Sequence, residues 1–477
     1  MATPMKAPID SDRKKALEEQ AIVTIACLAA FLFFNSFGSI SVALPAIQKQ
    51  FGNTLSEIQW VSLMGVVTIA SLSFCFGRAG AIFGQRRLYK SGVTLYAVGA
   101  GLGAISTSFR QLLLARAIMA IGLAMALPMS TAILAASFDS KRRGQILGLF
   151  ASAIAVGRTT GPTIGGILLE LGGWRWIFWM NFIVGLAVSV AVVKIFKGPG
   201  KCRKEPFDIC GSLMLLIGYP ALLVGLTFGG SDRWSSTFVI GSFALAAIGL
   251  SSFVWIELRA AKPLIDVSLF KRKPLAVALV AAVLSHAIHF PIALCAPLYL
   301  QNVLGASAIT SGFLLAMLPL STAVASPLGG RWADRMEAST VALIGFATIV
   351  AGIVCYSRLG IDSQFAMVAA VLALLGMGIG FFTPPNQKMA FATVAEEDYG
   401  VLAAMLSSFG TAAGTIGTTI AVALMEIDAG KELWAQAGAF ARAQQFAFTW
   451  LGLVGLIGIA VLLRTKQITT AHWPRMQ

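Results

Sequence analysis

Long apolar runs alternate with short polar segments along the whole chain of 477 residues. Each run holds about 20 residues, the length that an α-helix needs to cross the ~30 Å hydrocarbon core of a bilayer. The pattern predicts fourteen membrane-spanning helices, near residues 22–44, 59–82, 91–107, 111–136, 145–170, 176–196, 209–229, 237–256, 274–300, 309–328, 340–357, 365–386, 400–425 and 446–463. The chain is therefore expected to be an all-α polytopic membrane protein without a soluble catalytic domain.

The distribution of charge agrees with this interpretation. Only 12% of the residues are charged and 57% are hydrophobic, whereas a soluble protein carries roughly twice as much charge. Of the 36 Lys and Arg residues, 27 fall in the segments on one side of the predicted spans or at the span ends beside them. This positive-inside bias explains the net charge of +15 without nucleic-acid binding and predicts that both termini are cytoplasmic.

An internal repeat divides the chain. The segment GRAGA (77–81) follows the second predicted span, and GRWAD (330–334) follows the tenth. Each therefore ends the second helix of a six-helix set, and parallel repeats of this kind are typical of transporters, with the substrate site at their interface. The predicted organisation is a cytoplasmic tail (1–20), a six-helix bundle (21–197), an inserted two-helix segment with cytoplasmic linkers (198–273), a second six-helix bundle (274–464) and a cytoplasmic tail (465–477).

Other classes of protein find no support in the sequence. The six cysteines lack the spacing of a metal site, so no metal and no cofactor is expected. No nucleotide-binding Gly-x4-Gly-Lys-Ser/Thr motif occurs, which leaves an ion gradient, of protons, as the expected energy source. No nucleophile–base or acid–histidine set lies at a membrane face, so an enzyme is not expected.

Several motifs follow one another in a characteristic order: SVALPAI (41–47), GRAGAIFGQRR (77–87), GRTTGPTIGG (157–166), WRWIFWMN (174–181) and FFTPPNQ (381–387). In this order the chain resembles, over nearly its whole length, the fourteen-helix drug:proton antiporter branch of the major facilitator superfamily. The resemblance implies the major facilitator fold, with two six-helix bundles and two inserted helices, in a bacterial inner membrane. It also implies conformational roles for Gly77, Arg78, Gly84, Arg86, Arg87, Gly157, Gly161, Pro162, Gly165, Gly166, Arg331 and Asp334.

The chain departs from the family pattern in its acidic residues. Ala81 stands where the loop motif usually has an aspartate, although the second copy keeps Asp334. Asn35 and Ser36 stand where the first helix often has an acid. The carboxylates lie at the ends of the predicted spans, so the buried carboxylate that exchanges a proton for a cationic substrate is not evident.

The ionisable residues inside the predicted spans are basic. His286 and His289 are three residues apart and share a helix face. They are candidates for carrying the coupling proton, and the alternative is that both are hydrogen-bonded packing residues. For Arg116, a structural bond to carbonyls of a neighbouring helix and a coupling role are both open. Asn35 and Ser36 in the first span, with Thr383 and Asn386 in the twelfth, are candidate polar residues of a central cavity.

Arg158 lies about 14 residues, or ~21 Å, into the fifth predicted span. A cation at this depth costs several kcal/mol unless it has a partner or an aqueous environment. Three roles are open: binding an anionic group of the substrate, repelling protons or cations, and tying the helix to carbonyls of a neighbour.

These observations favour a monomeric secondary active transporter that takes a small organic substrate. The leading hypothesis is proton-coupled export of amphipathic compounds, that is, multidrug-type efflux by an antiporter working through alternating access. An alternative keeps the fold and makes the substrate an organic anion or lipid-like acid, bound by Arg158, Arg116, His286 and His289. A third is a non-transporting membrane sensor, which counterflow in vesicles would distinguish because a sensor binds its ligand without moving it.

Overall fold

A computed structural model gives the structure of the chain and describes residues 8–52, 55–196, 208–228, 236–259, 272–306, 308–429 and 436–472. The described residues form fifteen α-helices. The first set is α1 (Pro8–Phe51), α2 (Leu55–Phe83), α3 (Gln85–Ala104), α4 (Phe109–Ser137), α5 (Ser140–Gly172) and α6 (Trp174–Ile195). A helical hairpin follows, made of α7 (Ile209–Phe228) and α8 (Thr237–Glu257). The second set is α9 (Lys273–His289), α10 (Ile292–Leu298), α11 (Ala308–Arg335), α12 (Ala338–Tyr356), α13 (Phe365–Phe391), α14 (Tyr399–Ala429) and α15 (Ala437–His472).

The all-helical membrane fold is confirmed, but the number of fourteen spans is not. Ten helical segments of the described chain are long and apolar enough to cross a membrane, and two shorter apolar helices lie in α2 and α7. The helices α3 and α5 fall outside this group because they are rich in glycine, hydroxyl and basic residues. Low hydropathy is expected of helices whose polar faces pack on protein rather than on lipid.

Three segments differ clearly from the sequence-based boundaries. α15 begins at Ala437, nine residues before the predicted span 446–463, and continues to His472, inside the predicted tail 465–477. α1 begins at Pro8, so the predicted tail is helical from there, and its apolar part starts at Leu17. The ninth predicted span is interrupted, since α9 ends at His289 and α10 begins at Ile292. Pro291 lies between them and lacks the amide that would continue the helix. A five-residue π-helix, Tyr299–Val303, then ends this segment.

The two sets of helices pack internally and against each other. In the first set α1 lies along α5 and α3 along α4, and in the second set α13 packs on both α11 and α12. The sets meet where α5 contacts α11 and where α2 contacts α14. The hairpin packs on α2 and α14, and the Tyr219 hydroxyl donates a 2.5 Å hydrogen bond to the carbonyl of Ser408. The hairpin thus lies beside the junction of the sets.

One end of the bundle carries clustered basic residues, and it is called the basic end below. It is formed by the connections α2–α3, α4–α5, α11–α12 and α13–α14, which bring Arg86, Arg87 and residues 141–143 to one side. Gly84 connects α2 to α3 with a φ of 97°, a conformation that favours glycine because it lacks a Cβ atom. The predicted boundary between residues 197 and 198 lies outside the described residues, and the predicted boundary between 273 and 274 falls in the first turn of α9.

Candidate functional site

Arg158 lies near the midpoint of α5, 18 residues after its first residue and 14 before its last. Its guanidinium carbon is 4.8 Å from the ring centroid of Phe34 in α1. More than a third of the residue's surface is accessible, and the guanidinium makes no hydrogen bond or ion pair with any described residue. The five N–H donors of the guanidinium therefore lie at mid-helix without a hydrogen-bond acceptor among the described residues.

His286 and His289 lie at the end of α9, at the middle of the interrupted segment Lys273–Val303. Their Nδ1 atoms are 2.8 Å and 2.5 Å from the carbonyl oxygens of Ala282 and Ser285, four residues earlier. A carbonyl oxygen only accepts, so each Nδ1 carries a hydrogen and each neutral imidazole has its free lone pair on Nε2. The two ring centroids are 5.3 Å apart.

The structure brings Arg158 and the two histidines together across the junction of the sets. Arg158 belongs to the first set and the histidines to the second. Arg158 is 14 residues, or close to four helical turns, after Gly144, where a Cβ atom would contact Gly330 of α11. It therefore lies on the face of α5 that is turned toward the second set, and its charge is within electrostatic range of both imidazoles. We call this region, lined by Phe34, Arg158, His286 and His289, the central space.

Gly410 of α14 packs directly against the His286 imidazole. A Cβ atom at residue 410 would lie 3.0 Å from both Cε1 and Nε2 of the imidazole. The ring of Phe290 flanks both histidines, with centroid distances of 5.3 Å and 5.2 Å. The His286 imidazole is thus fixed by a carbonyl on one side and by α14 on the other, and that of His289 by the Ser285 carbonyl and Phe290. Sequence reasoning did not single out Gly410, because nothing in its local pattern marks the residue that it faces.

Arg116 is buried inside the first set, with 4% of its surface exposed. Its Nε donates a 3.0 Å hydrogen bond to the carbonyl of Val61, and its guanidinium carbon is 5.9 Å from the ring centroid of Phe37. Ser36 lies with it at a small cavity in the same set. These contacts match the carbonyl-bonding interpretation of Arg116, and a coupling role for either residue stays a prediction.

Asn35 connects α1 to α5. Its Nδ2 donates a 3.1 Å hydrogen bond to the Thr160 hydroxyl, and the Ser39 hydroxyl donates a 2.8 Å hydrogen bond to the carbonyl of Gly161. The side chain of Asn35 is almost completely buried by these contacts. The structure therefore gives Asn35 a helix-packing contact, and its participation in substrate binding or coupling stays a prediction.

The glycines of the GRTTGPTIGG motif in α5 have two kinds of surroundings. A Cβ atom at Gly157, Gly161 or Gly165 would lie 2.5–2.6 Å from the backbone of α1. These residues form the small-xxx-small face on which the two helices approach closely. A Cβ atom at Gly166 would meet no atom within 4 Å, and α5 continues as a helix through Pro162.

Asn386 and Thr383 are one turn apart on α13. The Asn386 side chain is buried and its Nδ2 donates a 3.0 Å hydrogen bond to the carbonyl of Ala278 in α9. Its Oδ1 is buried without a hydrogen-bond partner among the described residues. Thr383 is half-buried. Asn386 therefore helps to position the helix that carries the two histidines.

Asp334 closes the basic end. Its carboxylate oxygens accept hydrogen bonds of 3.0 Å from the Gly144 amide and 2.8 Å from the Gln145 amide, in the first turns of α5. The Lys388 ammonium is 2.6 Å from the same carboxylate, and the side chains of Lys388 and Asp334 are only 16% and 8% exposed. A further hydrogen bond of 2.6 Å runs from the Ser152 hydroxyl to the carbonyl of Ala323. Polar contacts thus join α5 to α11 on this side of the central space.

The corresponding position of the first set is closed without a carboxylate. Ala81 is completely buried, and a Cβ atom at Gly77 would lie 2.8 Å from the carbonyl oxygen of Gly400. Here the Gln85 side chain donates a 3.0 Å hydrogen bond to the carbonyl of Glu396. Close backbone packing between α2 and α14 therefore takes the place that the aspartate has in the second repeat. Arg78 is buried at this contact, whereas Arg331 is exposed.

The sequence profile of the Major Facilitator Superfamily matches residues 26–418 and, in a second alignment, residues 275–475. The chain therefore belongs to the major facilitator superfamily: it is a multi-pass membrane transporter and not an enzyme.

Similar proteins agree with this assignment. The multidrug transporter protein MdtP of Bacillus subtilis is 25% identical over 423 residues, which are 88% of this chain and 78% of that protein. The multidrug resistance protein Stp of Mycobacterium tuberculosis is 28% identical over 396 residues, 82% of this chain and 73% of that protein. The crystal structure of the human organic anion transporter MFSD10 (TETRAN) shares the fold, with a TM-score of 0.66 at 17% identity, over 93% of this chain and 99% of that one.

Proposed function

We propose that this protein exports amphipathic organic compounds across a bacterial inner membrane by alternating access, driven by the proton-motive force. The observation that carries the proposal is the accessible Arg158 side chain at mid-helix, on the face of α5 turned toward the set that carries His286 and His289, with the two helix sets joined at the basic end. Rocking of the sets about such a site would expose it to each side of the membrane in turn. The names of the similar bacterial proteins support multidrug-type efflux.

The proposal includes the finer assignment to the fourteen-helix drug:proton antiporter branch. If α9 and α10 form one interrupted crossing, the fifteen helices make fourteen crossings. Fourteen crossings place both termini on one side, and the positive-inside rule makes the basic end cytoplasmic. The structure would then be the state that is closed to the cytoplasm. We also propose that the chain works as a monomer.

Protons are proposed to act through the two histidines. The carboxylates of the described helices lie near the helix ends, as Glu170, Glu257 and Glu426 do, and none lies at mid-span. His286 and His289 are the titratable residues that reach the central space, and the Nε2 atom of each can accept a proton. Asn35, Ser36, Arg116, Thr383 and Asn386 would support the site by holding its helices.

Transport in proteoliposomes tests this function. Purified protein is reconstituted into phosphatidylcholine vesicles loaded with unlabelled compound, and uptake of the labelled compound by counterflow is measured for neutral, anionic and cationic amphipathic compounds. Uptake above that of protein-free vesicles is the expected result, and a pH gradient and a diffusion potential are then imposed separately. Binding without counterflow would identify a sensor and contradict the proposal.

A further inference from the structure

We infer that the compounds carried by this protein have an acidic headgroup, such as a carboxylate or phosphate ester, which Arg158 binds in the central space. This inference rests on the proposed transport function and specifies the substrate class of the same site. It follows from three features: the unpaired donors of Arg158, the sign of the charges at mid-span, and the aromatic surfaces beside them.

The donors of Arg158 have no protein acceptor. Neither a carboxylate nor a carbonyl of the described residues is within hydrogen-bond distance of the guanidinium, so it does not tie α5 to a neighbouring helix. Arg116 is the opposite case, because it is buried and donates to the carbonyl of Val61. A guanidinium that is accessible and unpaired is arranged to bind an acceptor from outside the protein, and its planar fork matches a carboxylate or phosphate.

The charges at mid-span have one sign. Arg158 is the charged residue near the midpoint of a described helix, Arg116 lies seven residues after the start of α4, and the carboxylates lie near the helix ends. A lipophilic cation in the central space would therefore meet a like charge at short range without a compensating acid. An anion would neutralise Arg158, whereas a cation would add to the uncompensated positive charge.

Aromatic rings lie beside the charged groups and provide an apolar surface for the rest of an amphipathic ligand. The guanidinium carbon of Arg158 lies 4.8 Å from the ring centroid of Phe34, within the range of a cation–π contact, which does not use the N–H donors as hydrogen bonds do. Phe290 lies beside both histidines on the opposite set. An organic acid with an aromatic or alkyl body can thus bind its headgroup at Arg158 and its body against these rings. Export of such an anion runs down the inside-negative membrane potential, so the proton-motive force can drive it.

Three probes with the same aromatic body separate the headgroup from the rest of the ligand. They are 2-naphthylacetate, its neutral amide and trimethyl(2-naphthylmethyl)ammonium. Binding is measured by calorimetry on the full chain in phosphatidylcholine nanodiscs, which contain no anionic lipid that could occupy the site. The variants are Arg158→Gln, which removes the charge, and Arg158→Lys, which keeps the charge but loses the fork. Arg110→Gln is the matched control, since Arg110 is exposed at the start of α4, away from the central space.

The expected result is at least tenfold tighter binding of the acid than of the amide. Arg158→Gln should weaken the acid roughly tenfold to a hundredfold and leave the amide unchanged, as expected for the loss of hydrogen bonds to a charged group. Arg158→Lys should give an intermediate value, and Arg110→Gln should bind as the wild type does. Melting temperatures within a few degrees of the wild-type value verify that each variant is folded.

Other results would overturn the inference. Equal affinity for the acid and the amide, tightest binding of the ammonium compound, no binding of the acid, or full affinity in Arg158→Gln would each exclude an anion site at Arg158. Counterflow of the same probes separates the two proposals. If the acid binds through Arg158 but is not exchanged, the proposed transport function is wrong and the proposed anion site is retained. If the amide or the ammonium compound is exchanged and the acid is not, the transport function is retained and the proposed substrate class is wrong.

Discussion

The contact between Gly330 and Gly144 gives a direct way to change the conformation of the protein. A Cβ atom at residue 330 would lie 2.1 Å from the carbonyl oxygen of Gly144 and 2.6 Å from its carbonyl carbon. Ordinary contacts begin at 3.4 Å, and the carbonyl atoms of Gly144 belong to the backbone and cannot rotate away. Gly330→Ala therefore requires α5 and α11 to separate by about 1.3 Å at the basic end, the difference between 3.4 Å and 2.1 Å.

The energetic effect follows from the cost of overpacking, which is typically about 1–3 kcal/mol. If the cost falls on the state that is closed at the basic end, the ratio of closed to open molecules falls roughly 5- to 150-fold. The substitution should therefore open the basic end rather than unfold the protein, because the two sets can separate by a motion that transport already requires.

Spin labels across the basic end measure this shift. Lys141 is exposed near the start of α5 and Met336 is exposed just after α11, so cysteines at these positions, without the native cysteines, report the separation of the helices. Gly330→Ala should move population to longer distances. Gly166→Ala makes the same chemical change on α5 where a Cβ atom meets nothing within 4 Å, and it should leave the distances unchanged. Identical distance distributions in wild type and Gly330→Ala would refute the reasoning.

Three further substitutions test other contacts of the structure. Asp334→Ala removes two hydrogen bonds to α5 and leaves the Lys388 ammonium with the Ala333 carbonyl but without its counter-ion, so it should weaken the closed state by on the order of 2–3 kcal/mol in the same distance measurement. Adding Lys388→Met should restore part of the loss. Gly410→Val should displace the His286 imidazole and reduce the counterflow rate, whereas an unchanged rate would show that the position of the ring is unimportant. Gly161→Val should lower the melting temperature by several degrees because its side chain would push α1 away, and an unaltered melting temperature would contradict the close packing of these helices.

The sequence predicted the class of fold well because bilayer-spanning helices leave a simple pattern. Apolar runs separated by polar segments indicated the helices, and the Gly-Arg repeat at 77–81 and 330–334 is the basis for the predicted division into two sets. Counting spans was harder, since α5 has the composition of a packing helix and includes Arg158. The ninth span was predicted as one helix, and its division into α9 and α10 at Pro291 was not predicted.

The arrangement of the site was less predictable because it depends on pairs far apart in the chain. The sequence marked Arg158, His286 and His289 as unusual for their depth, but no local pattern indicated that they face one another. It marked Asp334 but not Lys388, whose partner lies on another helix. It could not distinguish Gly165, which packs on α1, from Gly166, which contacts nothing, because one residue of helix phase separates the two environments.

Accessibility of the central space from both sides of the membrane is the measurement to make next. Phe34→Cys, in a protein without the native cysteines, places a thiol beside Arg158. A membrane-impermeant maleimide should label it from the outer side in the wild-type background and increasingly from the basic side when Gly330→Ala is added, with protection by a bound substrate in both cases. Labelling from one side only, whatever the state of the basic end, would contradict alternating access to this site.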